Sequence, residues 1–173
     1  MSIHFKVEGN LGDMEIYFGY AEFMRLRMGF LDCVDALIYL GLFPLYDLRF
    51  KSRHRFEVYK EEEKEFWEAW NERLANFGKK TKLLRKYNLE ADDIYIVSDF
   101  AWHSDSNREM SPEECQKLLK WFSLLFEIEK KREEEGENNP LWWAYDEELF
   151  DMLKQFRSML TYAVKENSPL LFL

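Results

Sequence analysis

The sequence predicts an α+β fold: a small antiparallel sheet packed by four or five helices, a single layer pair, predominantly helical. Three observations predict it. Ile3, Phe5 and Val7 alternate with His4 and Lys6, the period of a half-buried strand. Ser111-Pro112-Glu113-Glu114 opens a long stretch with apolar residues at three- and four-residue spacing, which is helix-start chemistry ahead of an amphipathic run. Leu170-Leu171-Phe172-Leu173 is too apolar for a free tail and is expected to dock as a strand or pack into the core.

In chain order, Gly9-Asn10-Leu11-Gly12-Asp13 reads as a turn and Glu15 to Tyr20 as the returning strand. The next stretch supports two readings. Tyr20, Phe23, Met24, Arg27 and Met28 share one helical face, whereas Met24, Leu26, Met28 and Phe30 alternate as in a strand. Helix from about Tyr20 is the reading adopted, with Gly29 as its weak point. Asp32 to Leu42 reads as a further helical stretch with Val34, Leu37 and Ile38 inward, ended by Pro44. Glu61 to Phe77 carries the stripe Phe66, Trp67, Trp70, Leu74 and Phe77, and Gly78 supplies its stop. Lys79 to Tyr87 reads as a short basic helix ending at Asn88, and Ile94 to Ser98 as a strand. The helix from Ser111 runs to about Glu135 with Cys115, Leu118, Leu119, Phe122, Leu125 and Phe126 on one face. A last helix spans roughly Leu141 to Lys165, with Leu149, Leu153, Phe156, Leu160 and Ala163 inward, and Asn167-Ser168-Pro169 breaks it.

At 173 residues the chain suits one domain, 1–173. Its 24 basic and 33 acidic residues leave a formal charge of −9, which argues against a binder of phosphate backbones. An acidic surface keeps a protein soluble and also attracts basic partners. The one basic patch, Arg49, Lys51, Arg53, His54 and Arg55, reads as a solvated face. Cys33 and Cys115 have neither metal spacing nor a disulfide framework, so a reducing, cytoplasmic setting is expected. The opening residues Met1 to Lys6 lack an apolar leader core, and the longest apolar run, Ala36 to Leu45, is broken by Pro44 and too short to span a bilayer.

The polar run before the Ser111 helix is the candidate site. In the frame of a calcium-binding EF-hand loop it places His103 at position 1, Asp105 at 3, Asn107 at 5, Glu109 at 7, Met110 at 8, Ser111 at 9 and Glu114 at 12. The candidate metal ligands are therefore His103, Asp105, Asn107, Glu109 and Glu114, and Ca²⁺ is the candidate ion. Two positions disagree: His103 stands where a carboxylate is wanted, and Arg108 where the loop needs glycine. A look-alike loop with no cofactor is the expectation. A catalytic use would pair His103 with Asp105 or Asp99 as general base and orienting carboxylate, but no nucleophile motif accompanies them and no catalytic residue is assigned. The neighbouring Ser111, Pro112 and Glu114 fit a capping box, with Met110 and Cys115 as its hydrophobic staple.

Three patches carry a family resemblance. Tyr20-Ala21-Glu22-Phe23-Met24-Arg25-Leu26-Arg27, then His103-Ser104-Asp105 with Met110-Ser111-Pro112-Glu113-Glu114-Cys115, then the helix and Pro-apolar tail from Phe156 to Phe172 resemble a group of uncharacterised bacterial proteins. Where that group tends to have Cys-Asp-Gly, this chain has Ser106-Asn107-Arg108, which weakens a metal role for the loop. The resemblance implies no activity.

Two functions are expected from these observations. The first is a non-enzymatic protein–protein interaction protein, an acidic inhibitor or immunity protein of the phage anti-defence (anti-CRISPR) or toxin-immunity kind, whose partner is another protein with a basic surface. The alternative is a divalent-cation-binding protein or small metal-dependent hydrolase using loop 103–114.

Overall fold

A computed structural model describes residues 2–38, 93, 96–97, 99–100, 108–134 and 147–173. The helices expected over 61–77 and 79–87, and the basic patch of 49–55, lie outside the described residues. The described elements are strands β1 (Ser2–Val7) and β2 (Met14–Gly19), helix α1 (Tyr20–Ile38), strand β3 (Arg108–Met110), helices α2 (Pro112–Glu134) and α3 (Glu147–Glu166), and strand β4 (Leu170–Phe172). The strands form one antiparallel sheet in the order β2-β1-β4-β3. A small antiparallel sheet with helices is therefore the architecture. No described helix is long and apolar enough to cross a membrane.

The alternation in β1 sorts the two faces of the sheet. Ile3, Phe5 and Val7 are buried, and so are Phe18, Met110, Leu170 and Phe172 on the paired strands. Phe5 is the centre of this inner face. Its ring meets Phe23 at 4.8 Å, Phe172 at 4.8 Å, Phe156 at 5.6 Å and Phe18 at 5.9 Å between centroids. One residue thus joins β1 to β2, β4, α1 and α3 through edge-on and tilted ring contacts, the arrangement that ring quadrupoles favour.

Helix α1 follows β2 without a linker, because the Gly19 N–H is taken by Glu22 Oε2 at 2.6 Å, the backward half of a capping box. The helix passes through Gly29 unbroken. The expected weak point is not one: Leu26, Phe30, Cys33 and Val34 on either side are fully buried, and tertiary packing outweighs the modest cost of a helical glycine. The separate stretch expected from Asp32 is part of this same helix up to Ile38. Arg27 is 3% exposed, with its guanidinium 3.9 Å over the Phe23 ring.

The strand expected at Ile94 to Ser98 is corrected. Ile96, Val97, Asp99 and Phe100 are helical. Ile96 and Phe100 are one helical turn apart and both buried, and the Phe100 ring lies 5.1 Å from Phe156 and 5.7 Å from Phe30. The β-branched run suggests a strand by propensity, but a buried helical turn satisfies the same apolar residues, and short apolar runs do not separate the two. The sheet takes its fourth strand instead from Arg108–Met110, inside the polar run.

Helix α2 buries Cys115, Leu118, Phe122 and Leu125 as its spacing predicts, and Trp121 and Leu124 besides. The wider apolar face serves a second neighbour: the Trp121 indole donates to the Asp93 carbonyl at 3.0 Å. Helix α3 buries all five expected residues together with Met152 and Met159. It ends with Asn167 at φ 49°, whose N–H donates to Val164 O at 3.2 Å while Ser168 N–H donates to Ala163 O at 3.0 Å. That is a Schellman motif with asparagine in the left-handed position. It turns the chain into β4, where Leu170 and Phe172 pair with Val7 and Phe5.

Candidate interaction surface

Of the five proposed metal ligands, His103, Asp105 and Asn107 lie outside the described residues, and Glu109 and Glu114 are described. Glu114 is a capping residue. Its Oε1 accepts from Ser111 N–H at 3.2 Å, and its own N–H donates to Ser111 Oγ at 3.1 Å, so both halves of the predicted box form. The carboxylate that a calcium loop would use in bidentate fashion is thereby held by the backbone. Arg108, at the position where such a loop turns sharply, is extended and paired with Phe172. Glu109 pairs with Leu171 on the outer side of the sheet. Among the described residues no group of three or more His, Cys, Asp or Glu is placed to hold a metal ion. Cys115, the staple residue, is buried with its thiol 3.7 Å from Met110 O, and burial pushes its pKa up to about 12, so it is no nucleophile at neutral pH.

A cleft of about 560 Å³ between α2 and α3 is lined by Leu119, Ser123, Arg157, Ser158, Thr161 and Lys165. Its polar groups are used locally. The Thr161 hydroxyl donates to Arg157 O at 2.8 Å and the Ser158 hydroxyl to Lys154 O at 3.1 Å, while the Arg157 guanidinium lies 4.0 Å over the Phe126 ring. Nothing there aligns a base with a nucleophile.

The outer face of the sheet is different in kind. It is made by the residues out of phase with the core: His4 and Lys6 from β1, Glu15 and Tyr17 from β2, Leu171 from β4. The His4 and Tyr17 rings stack with centroids 4.4 Å apart and planes at 10°. Glu15 Oε2 lies 3.6 Å from His4 Nε2 and 3.5 Å from the Tyr17 hydroxyl. The Lys6 ammonium sits between Asp13 at 3.2 Å and Glu8 at 3.3 Å, and its hydrogen bonds to these two carboxylates raise its pKa above the ordinary 10.5.

The β1–β2 turn is tied down from α3. Tyr162 donates its hydroxyl to Gly12 O at 2.6 Å, and Asn10 N–H donates to Glu166 Oε2 at 3.2 Å. Partial burial, followed by the nearby Glu166 and Asp13 charges, raises the Tyr162 phenol above its ordinary pKa of 10.0. Gly12 adopts φ 138°, a conformation that side chains disfavour, and a Cβ on Gly9 would land on the Tyr162 hydroxyl. Gly12 is needed for its backbone conformation and Gly9 for the close approach of Tyr162. The tip so held is Leu11, 97% exposed.

The other exposed large apolar side chains among the described residues are Tyr17, Leu173 and Tyr20, at 60%, 51% and 38%. Leu173 exchanges backbone hydrogen bonds with His4, which pairs with Tyr17, so these three form one row across the outer face. Tyr20 follows β2 directly. The alternation in β1 and β2 carried the signal for which residues face outward, but no local signal tells which of them remains uncovered. No known family, curated protein or solved structure matches the chain.

Proposed function

We propose that the chain works by binding another protein, as an acidic inhibitor or immunity protein of the phage anti-defence or toxin-immunity kind, acting in the cytoplasm. The observation that carries this reading is the exposure of large apolar side chains on the hairpin and its sheet: Tyr17 and Leu173 in one row on the outer face, Leu11 at the turn and Tyr20 at the far end of β2. Apolar anchors amid polar residues are the anatomy of a docking surface. Leu11 sits on a turn bonded to a helix, so little ordering entropy opposes its burial. The acidic residues beside it, Glu8, Asp13 and Glu166, and the net charge of −9 favour a partner with a basic rim and disfavour nucleic acid. Burying a leucine is worth about 1.5–3 kcal/mol, so Leu11→Asp should weaken a complex by at least roughly tenfold.

The test is affinity capture from the native host with the wild-type chain and with Leu11→Asp. A stoichiometric partner held by the first and lost by the second is expected. A wild-type chain that repeatedly emerges alone overturns the reading. The competing function, a cation-binding protein or hydrolase built on His103, Asp105, Asn107, Glu109 and Glu114, has the engaged Glu114 carboxylate against it. Millimolar Ca²⁺ is expected to leave the melting midpoint unchanged. A rise that Asp105→Ala abolishes would establish the cation site instead.

A further inference from the structure

Among the described residues strand β2 is an edge of the sheet, and the direction of its peptide groups follows from its neighbours. Leu173 N–H donates to His4 O at 2.8 Å and His4 N–H to Leu173 O at 3.5 Å, so the peptide groups of His4 point away from β2. In an antiparallel ladder successive residues direct N–H and C=O to opposite sides. Ile3, Phe5 and Val7 therefore bond to β2 through their register partners Phe18, Ile16 and Met14. The alternate residues Glu15, Tyr17 and Gly19 direct their peptide groups outward. Gly19 agrees, since its N–H is taken from outside the ladder by Glu22. At Glu15 and Tyr17 no strand pairs on that side among the described residues.

Beside this edge, between β2 and the first turns of α3, lies a cavity of about 300 Å³ lined by Tyr17, Phe18, Glu22, Glu148, Asp151 and Met152. Its apolar floor is Phe18 and Met152, 3% and 5% exposed. Three carboxylates stand around that floor. Glu22 is fixed by the Gly19 amide at 2.6 Å and Glu148 by Arg25 at 3.0 Å, while Asp151 is exposed.

We propose that β2 receives an extended segment of a basic partner protein as an added strand, with a lysine or arginine side chain of that segment seated in this cavity. The proposal rests on the docking function above and specifies how the partner is gripped. An added strand exchanges N–H···O bonds with Glu15 and Tyr17, the mode of strand addition at an open edge. Its residues opposite Ile16 and Phe18 turn their side chains to the side of those two, where the cavity opens. There a long cationic side chain lays its methylenes on Phe18 and Met152 and reaches Glu148 and Asp151 with its charge, stem buried and head polar. A second copy of the chain does not suit the site. The strand Met14-Glu15-Ile16-Tyr17-Phe18-Gly19 carries no cation to set between Glu148 and Asp151.

The test titrates the full ¹⁵N-labelled chain with short capped peptides that alternate threonine and valine around a central residue. The lysine peptide should give saturable shifts and slowed hydrogen exchange at the Glu15 and Tyr17 amides. A central glutamate, or N-methylation of the alternate residues whose amides face β2, should weaken binding by roughly tenfold or more. The double variant Glu148→Gln, Asp151→Asn, both exposed positions, should weaken the lysine peptide similarly at an unchanged melting midpoint. Absence of saturable shifts at Glu15 and Tyr17, indifference to N-methylation, or a doubled mass in light scattering that is lost on Tyr17→Pro overturns the proposal. Leu11→Asp should leave the peptide titration untouched. A chain that captures a host partner yet ignores the peptide loses the edge site alone, and one that binds the peptide but captures nothing loses the docking function instead.

Discussion

The two faces of the four-stranded sheet are one residue out of phase and chemically opposite. On the inner face Phe5 is fully buried and touches four other phenylalanines. On the outer face His4 and Lys6, its sequence neighbours, meet Tyr17, Glu15, Glu8 and Asp13 through stacking and ion pairs. The inner contacts exclude water and gain from every ångström of burial. The outer ones remain solvated, where an ion pair is worth little. Stability is thus concentrated on one side of β1, and the other side is left free to be shaped by what it meets.

The largest effect should come from the inner face. Phe5→Ala is expected to cost about 3–5 kcal/mol, read as a lower denaturation midpoint at unchanged slope. A cost near that of a surface change would mean that the rings pack too loosely to define the face. Next is the α2 start, which joins β3 to the helix. Ser111→Ala should cost about 1 kcal/mol, and Ser111→Asp should restore most of it, by the same measurement.

The third effect is on the outer turn and depends on pH. Lys6 and Tyr162 both have raised pKa values, so the folded state favours their protonated forms. Their contributions are fully present below the ordinary values of 10.5 and 10.0 and are lost as pH rises through the higher folded ones. The buried Cys115 thiol, ordinarily 9.0 and here pushed up to about 12, acts in the same direction, so the melting midpoint should begin to fall above about pH 9 and fall further as the two outer groups are titrated. An ultraviolet titration of wild type against Tyr162→Phe should show one late-forming tyrosinate. An unshifted tyrosine would leave the turn without its anchor. The smallest effect belongs to Tyr17→Ala, within about 0.5 kcal/mol, as for most surface changes. A loss as large as that of Phe5→Ala would abolish the contrast between the faces.

What could be read from the sequence was what is decided within a turn or two of chain. The Ser111–Glu114 box and the Asn167 helix stop are local hydrogen-bond chemistry, and both formed in register. The alternation of β1 and β2 gave the inner and outer faces together. Ile94 to Ser98 misled because β-branched residues suit a buried helical turn as well once Phe100 has ring partners. Arg108–Met110 was missed as a strand because only Met110 is apolar and its partner β4 is remote in sequence. For the candidate surface, the sequence marked only the outward phase of β1 through His4 and Lys6 and assigned no partner-binding residue, because which side chains stay exposed is a property of the assembled sheet. The Leu11 turn was recognised as a turn; its anchorage to Tyr162 and Glu166 depends on a helix at the far end of the chain.

The position of β4 between β1 and β3 has a consequence for how the protein comes into being. Phe5 leaves the ribosome 167 residues ahead of Phe172, which it contacts and pairs with. Translation proceeds at about 5–20 residues per second, so the β1–β2 hairpin waits many seconds with its inner edge uncovered. Closing so long a loop adds entropy that local contacts do not repay, and such non-local pairing places folding toward the slow end for mixed domains. Until Leu170–Phe172 is synthesised, the nascent hairpin presents an uncovered strand edge and the rings of Phe5 and Phe18 to its surroundings.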